Sequence, residues 1–304
     1  MSGVFAPTTT SEADEAQIRG ERLRAARRNP RARLRRANHA AGGATLIWLV
    51  IIVVPLYVMV SASFMPQSEA LGNGMLKLPT RPTLANYKLV FQDGFLHLML
   101  NNIIVTVATV ALVLVLTVPL AFAIVRSRNR AAGLALRIFV TGLAIPAPVI
   151  IVPLYVMIVK LGLYDSLPAI ILPTAAFAMP VALLVLIGSM RDISEELYES
   201  MALDGASPAR MLVNLVVPLS TGGISTVCVF AGLAAWNGFL FPLILTQSPQ
   251  NQVLTTGLWS LSSEYGVNVP ATLAALTLSA IPMLVLYLAA RRALMAGVVG
   301  ISGR

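Results

Sequence analysis

Five of the chain's thirteen acidic residues fall between Arg191 and Arg210: Asp192, Glu195, Glu196, Glu199 and Asp204. Clustered carboxylates can hold a metal, move protons or present charge to a protein. Neither a histidine nor a cysteine joins them. The chain has two histidines, His39 and His97, and one cysteine, Cys228, which excludes an internal disulfide framework and a Cys- or His-rich metal centre. The spacing points to a built shape. Asp192 followed by Glu195 reads as a capping-box-like helix start, with carboxylates where the dipole favours them. Leu197, Met201 and Ala202 share an apolar stripe. Asp204-Gly205 ends that helix with a left-handed glycine cap, and Ser207-Pro208 opens a second one. The second helix leads into an apolar run at Pro218. A helix, a tight turn and a helix make a rigid knob suited to passing force from a soluble partner. A second constellation, Trp236-Asn237, sets an aromatic face beside an amide.

The elements that position these residues are apolar throughout. Of 304 residues 57% are hydrophobic and 12% charged, where a soluble domain carries about a quarter charged. A membrane helix needs about 20 mostly apolar residues. Six runs qualify: Thr45 to Ser61, Met99 to Val125, Ile138 to Val159, Leu167 to Met190, one within Leu212 to Leu245, and Ala271 to Ala290. The fifth run exceeds one straight helix, and Asn237 and Pro242 predict a bend near its end. The fold class is therefore all-α: a polytopic membrane bundle of six transmembrane helices.

Charge orients the bundle. Eighteen of the 22 basic residues fall before the first span, in the alternate loops (Arg126 to Arg137, and Arg191 with Arg210) or after the last span, against four on the other side. The positive-inside rule then places both termini in the cytoplasm. Residues 1–43 read as an Arg-rich cytoplasmic tail, disordered or partly helical, that contacts anionic lipid; Pro30 is expected to interrupt any helix there. The tail is too long and polar before its first apolar run to be a cleavable signal. Residues 44–292 form the transmembrane domain, with the knob at 191–218, and 293–304 a cytoplasmic tail. The net charge of +9 resides in topology signals, so nucleic acid is not an expected partner.

No Asp, Glu, Lys or Arg lies within the six spans. Intramembrane carboxylates usually mark ion and proton pathways, so an ion-coupled carrier is disfavoured. A membrane-embedded enzyme is disfavoured too, since no catalytic constellation lies in the spans. No GxxxxGK[ST] phosphate loop occurs, so any ATP-hydrolysing site belongs to another chain.

The knob resembles the EAA motif of ABC importer permeases. Glu199-Ser200-Met201 stands at Glu-Ala-Ala, Gly205 at the glycine, and Leu215-Val216-Val217-Pro218 at the Ile-x-Leu-Pro ending. Ser200 and Met201 depart from the two alanines. The likeness runs from about residue 44 to the end. Pro79 to Tyr87 resembles the Leu-x-Asn-Tyr stretch of the outer loop, and Asn101-Asn102 stands at the family's Asn-Ser. Pro153 to Tyr155 and Leu161 to Ser166 are similar to the third-span ending. Trp236-Asn237-Gly-Phe-Leu-Phe-Pro242 is similar to the Trp-Asn-x-Phe motif of the sugar-uptake branch. Together these resemble a MalG-type carbohydrate permease.

The resemblance implies a subunit without an enzymatic site, in the cytoplasmic membrane of a bacterium. It implies a second homologous permease, two ABC ATPase subunits that use ATP and Mg, an extracytoplasmic solute-binding protein and a sugar, a di- or oligosaccharide, as substrate. This chain would bind no cofactor or metal. Glu195, Glu199, Ser200, Met201, Asp204, Gly205 and Pro218 would couple to an ATPase, and Trp236 and Asn237 would line a sugar path. An importer for a non-sugar solute and a stand-alone secondary carrier are the competing readings.

Overall fold

The computed structural model describes residues 30–127, 130–264 and 268–299, and these are helical with short connections and no strand. The chain divides into two units, residues 1–58 and 59–304. The first unit holds most of helix α1 (Pro30–Ser63). The described part of this helix begins at Pro30, so the expectation that Pro30 interrupts a helix turns on residues outside the described ones. Its side chains from Leu46 to Val54 are all exposed, as an apolar helix facing lipid would be. The part of the tail from residue 1 to 29, and the last residues from 300, lie outside the described residues.

The second unit is built on α4 (Phe95–Arg126), α7 (Leu167–Arg191) and α10 (Thr221–Trp236), which pack on one another. Their shared core holds Val113, Ala121, Ala178, Ala182, Leu183, Leu186, Val227 and Ala231. Small residues let the backbones approach closely. A Cβ built on Gly223 would stand 2.6 Å from Ser189 Cβ, so α10 crosses α7 where only glycine fits. Short helices α2 (Gln67–Asn73) and α3 (Ala85–Gln92) precede α4. Asn86 of α3 is buried and donates to the carbonyls of Ser63 and Met65, both at 2.8 Å, which ties this segment to the end of α1.

The third expected span is not one straight helix. It is a pair, α5 (Arg130–Gly142) and α6 (Ala147–Lys160), bent by 106°. Pro146 stands at the break, with Ile145 before it outside the helix, and Pro148 lies in the first turn of α6. Proline drives its predecessor out of helical geometry, and Pro146 itself is extended at φ −68°, ψ 135°. The fifth run breaks twice. Helix α9 (Pro208–Leu219) meets α10 at 79°, a break the sequence reading did not contain. Pro218 cannot donate a hydrogen bond, and the preceding stretch Leu212–Val216 is π-helical. The expected bend near Asn237 is present: α10 stops at Trp236, and α11 (Leu240–Leu245) follows. Helices α12 (Leu254–Glu264) and α13 (Val269–Val299) complete the described order. Three helices are long and apolar enough to cross a membrane, and the two bent pairs raise the number to five among the described residues.

Candidate functional site

The knob is α8 (Glu195–Leu203), a turn, and the start of α9. Its start differs from the sequence reading. Ser194 is the N-cap, without a side-chain cap bond, and Asp192 caps the end of α7. Its turn is as expected. Gly205 has φ +71°, its N–H donates to Ala202, and the Ala206 N–H donates to Met201, the paired bonds of a Schellman cap. Nothing stands within 4 Å of a Cβ built there, so the demand for glycine is one of backbone conformation. Ser207 Oγ then accepts from the Arg210 N–H at 3.3 Å, with Pro208 in the first turn of α9. The elbow is thus capped on both sides, by backbone bonds at the end of α8 and by Ser207 at the start of α9.

One side chain anchors the knob. Tyr198 is 2% exposed and belongs to the main core with Met190 and Val216. Its ring lies over Phe122 at 6.4 Å between centroids, nearly parallel at 27°. The Arg126 guanidinium sits 4.3 Å from the Tyr198 ring centroid. One Arg126 nitrogen also donates to both Glu195 carboxylate oxygens at 2.6 Å. Arg126 is the last residue of α4, so the end of that helix is clasped to the knob by stacking and charge together. Burial pushes the Tyr198 hydroxyl pKa above the ordinary tyrosine value. That hydroxyl has no hydrogen-bond partner.

The rest of the knob points outward. Glu196, Glu199, Ser200 and Asp204 are exposed, Met201 is half-buried, and Leu203 is 90% exposed. Ser200 Oγ donates back to the Leu197 carbonyl at 3.0 Å. Leu197 is exposed, so the helix turns Tyr198 inward in place of the expected Leu197–Met201–Ala202 stripe. Pro218 is exposed in α9 beyond the turn.

Trp236 and Asn237 lie at the other end of α10. Trp236 is 7% exposed and packs with Phe95, Leu98 and Leu254. Its carbonyl accepts from Asn102 Nδ2 at 3.3 Å. Asn237 is exposed, and its amide donates to the Leu233 carbonyl at 2.9 Å. The structure thus separates the two expected groups, the ring into packing and the amide to the surface.

A second ordered centre was missed in the sequence. The loop 246–252 is held from two sides. Asp165, with φ +57°, accepts at Oδ1 from the Gln247 N–H at 2.9 Å and the Ser248 N–H at 3.0 Å, and at Oδ2 from Ser248 Oγ. Its backbone carbonyl accepts from Asn251 Nδ2 at 2.7 Å. The backbone bond to Gln247, then those from Ser248, lower the Asp165 pKa to about 2. From the other side, Asn101 Nδ2 donates to the carbonyls of Gln250 and Gln252, both at 2.8 Å, and His97 Nε2 lies 2.8 Å from the Gln250 carbonyl. These partners are 82 to 153 residues apart in the chain, which is why spacing did not expose them. Among the described residues no cluster of three His, Cys, Asp or Glu could hold a metal ion.

Residues 114–298, well over half of the chain, match the family described as "Binding-protein-dependent transport system inner membrane component". The chain belongs to this family. This permease is 36% identical over 242 residues to a putative ABC transporter permease protein of Caldicellulosiruptor sp. (strain Rt8B.4), across 80% of this chain and 88% of that protein. It is 29% identical over 245 residues to the diacetylchitobiose uptake system permease protein NgcG of Streptomyces coelicolor, across 80% of this chain and 81% of that one. Its fold is similar to a chain of a bacterial ABC transporter involved in the import of alginate. The TM-score there is 0.75 at 19% identity, covering 87% of this chain and 98% of the other. The permease is thus an integral membrane component of a transport system, and the knob with its Tyr198 anchor lies at one end of its helix bundle.

Proposed function

We propose that this permease is one of two membrane subunits of an importer for a di- or oligosaccharide in the cytoplasmic membrane of a bacterium. It has six spans and both termini in the cytoplasm. Two ATPase subunits use ATP and Mg, a second permease completes the pathway, and an extracytoplasmic binding protein delivers the sugar. The observation that carries this reading is the knob: a doubly capped helical elbow, anchored from beneath by Tyr198 and Arg126, with Leu203 bare at its tip. An exposed leucine on a stiff, acidic projection suits the cleft of a protein partner. Glu199, Ser200, Met201 and Asp204 form the docking face, Glu195 and Gly205 set its geometry, and Pro218 marks where its motion enters α9. Closure of the ATPase pair would move the knob and rock the spans as rigid bodies. The sugar assignment rests on Trp236-Asn237 and on the likeness to a diacetylchitobiose permease; Asn237, exposed where α10 ends, lines the path, and Trp236 positions it.

Cross-linking tests the docking. Cys228 is the chain's one cysteine, so a Cys228→Ser background accepts a reporter cleanly. In the complex purified from its host in mild detergent, Ser200→Cys is expected to cross-link to an ATPase subunit identified by mass spectrometry. Adding Gly205→Pro should abolish the adduct. A chain that purifies alone and carries diacetylchitobiose into vesicles without ATP would refute the reading and restore the secondary carrier.

A further inference from the structure

The two ordered centres sit at opposite ends of the same pair of helices. Helix α7 joins them covalently: Asp165 lies two residues before its start, and the knob begins four residues after its end. Helix α4 runs beside it, packed on it, and is fastened at both ends by side chains. Arg126 clasps the knob through Glu195 and Tyr198. Asn101 and His97 hold the loop 246–252, whose other side Asp165 holds. Between Asn101 and Arg126 the helix is unbroken, although it contains Pro119.

We propose that α4 and α7 form a two-rail frame that moves as one body and joins the knob to the loop 246–252, with Arg126 and Asn101 as the positioning residues that lock the second rail. A single rail could shear past its neighbours when the knob is pushed. Two rails tied at both ends transmit displacement, because packed helices are stiff and their bonded ends leave few soft dihedrals. Both clasps use directional groups. Arg126 combines ion pairing with stacking on a buried ring, and one Asn101 amide bridges two carbonyls of the same loop, those of Gln250 and Gln252. The two rails move together because each is fastened at both ends. The frame rests on the reading of the knob as an ATPase contact, and it adds that nucleotide at the ATPase is felt at this loop.

The test uses the complete complex in proteoliposomes, with Gln250→Cys in the Cys228→Ser background. Gln250 is exposed, and Asn101 holds its carbonyl, which the substitution keeps. The rate of maleimide labelling is compared with and without ATP, Mg and vanadate. The native frame should show a nucleotide-dependent change in rate. Arg126→Ala and Asn101→Ala should each diminish that change while the ATPase stays bound. The exchanged pair Arg126→Glu with Glu195→Arg should restore it, which a merely misfolded variant could not do. An unchanged response in both single variants overturns the frame, as does a native complex whose loop ignores nucleotide. If no ATPase accompanies the native chain, the reading of the knob has failed, and the frame fails with it.

Discussion

Tyr198 shows how one residue can serve two ends unequally. Its ring fills the core beneath the knob, while its hydroxyl is buried without a partner. An unsatisfied buried hydroxyl costs free energy that phenylalanine would not. Tyr198→Phe should therefore leave the melting temperature in detergent unchanged or higher, whereas Tyr198→Ala should lose about 3–5 kcal/mol. A marked loss in the Phe variant would mean that the hydroxyl has a hydrogen-bond partner after all. Asp165 is the converse, since its polar atoms all have work. Its pKa is lowered from 3.8 to about 2, so its bonds favour the charged form. That contribution is complete above the unfolded value and disappears as the pH falls through about 2. Hydrogen exchange at Gln247 and Ser248, corrected for intrinsic rates, should stay slow from about pH 8 to about pH 4. Asp165→Asn should speed it at every pH. Glycine and serine at the elbow were legible because their roles are local: a left-handed cap and an N-cap depend on nearest neighbours. Tyr198, Arg126 and Asp165 were not, because their partners arrive from other helices.

At the scale of elements, hydrophobic runs gave the long helices and prolines gave most of the breaks. The sharp bend in the third run was not legible from its apolar residues, because such a run reports burial or lipid contact and says nothing of direction. Only the Pro146-Ala-Pro148 spacing carried the 106° turn. The 79° break before α10 depended on a stretch of π-helix beside Pro218, where one misplaced carbonyl redirects the chain. The crossing of α7 and α10 is likewise invisible in sequence, since Gly223 and Ser189 meet only once both helices are placed. Gly223→Ala should cost about 1–3 kcal/mol by overpacking. Ser189→Gly in the same chain should recover most of it, because it removes both atoms that the new methyl meets. Thermal melting of the three variants in detergent measures this. Additive losses would show that the helices part here without cost.

For the molecule as a whole, composition and charge order pointed to a membrane bundle, whereas the family was legible only in particular motif residues, Glu199 to Gly205 and Leu215 to Pro218. The surroundings of Trp236 and Asn237 were less legible. Aromatic and amide side chains serve packing as readily as binding, and here Trp236 is in the core. The 32-residue length of α4 has a physical consequence in the bilayer. From Asn101 to Arg126 a helix rises about 37 Å, a little more than the roughly 30 Å of hydrocarbon it crosses. Both polar clasps therefore fit just outside the acyl chains. Thicker lipid would draw one of them into hydrocarbon or force the helix to tilt, at a cost that grows with each ångström of mismatch. Sugar uptake in proteoliposomes should fall as phosphatidylcholine chains lengthen from about 16 to about 22 carbons, and a flat profile would show that the clasps sit elsewhere. A helix fastened at both faces makes the transporter a gauge of the membrane that holds it.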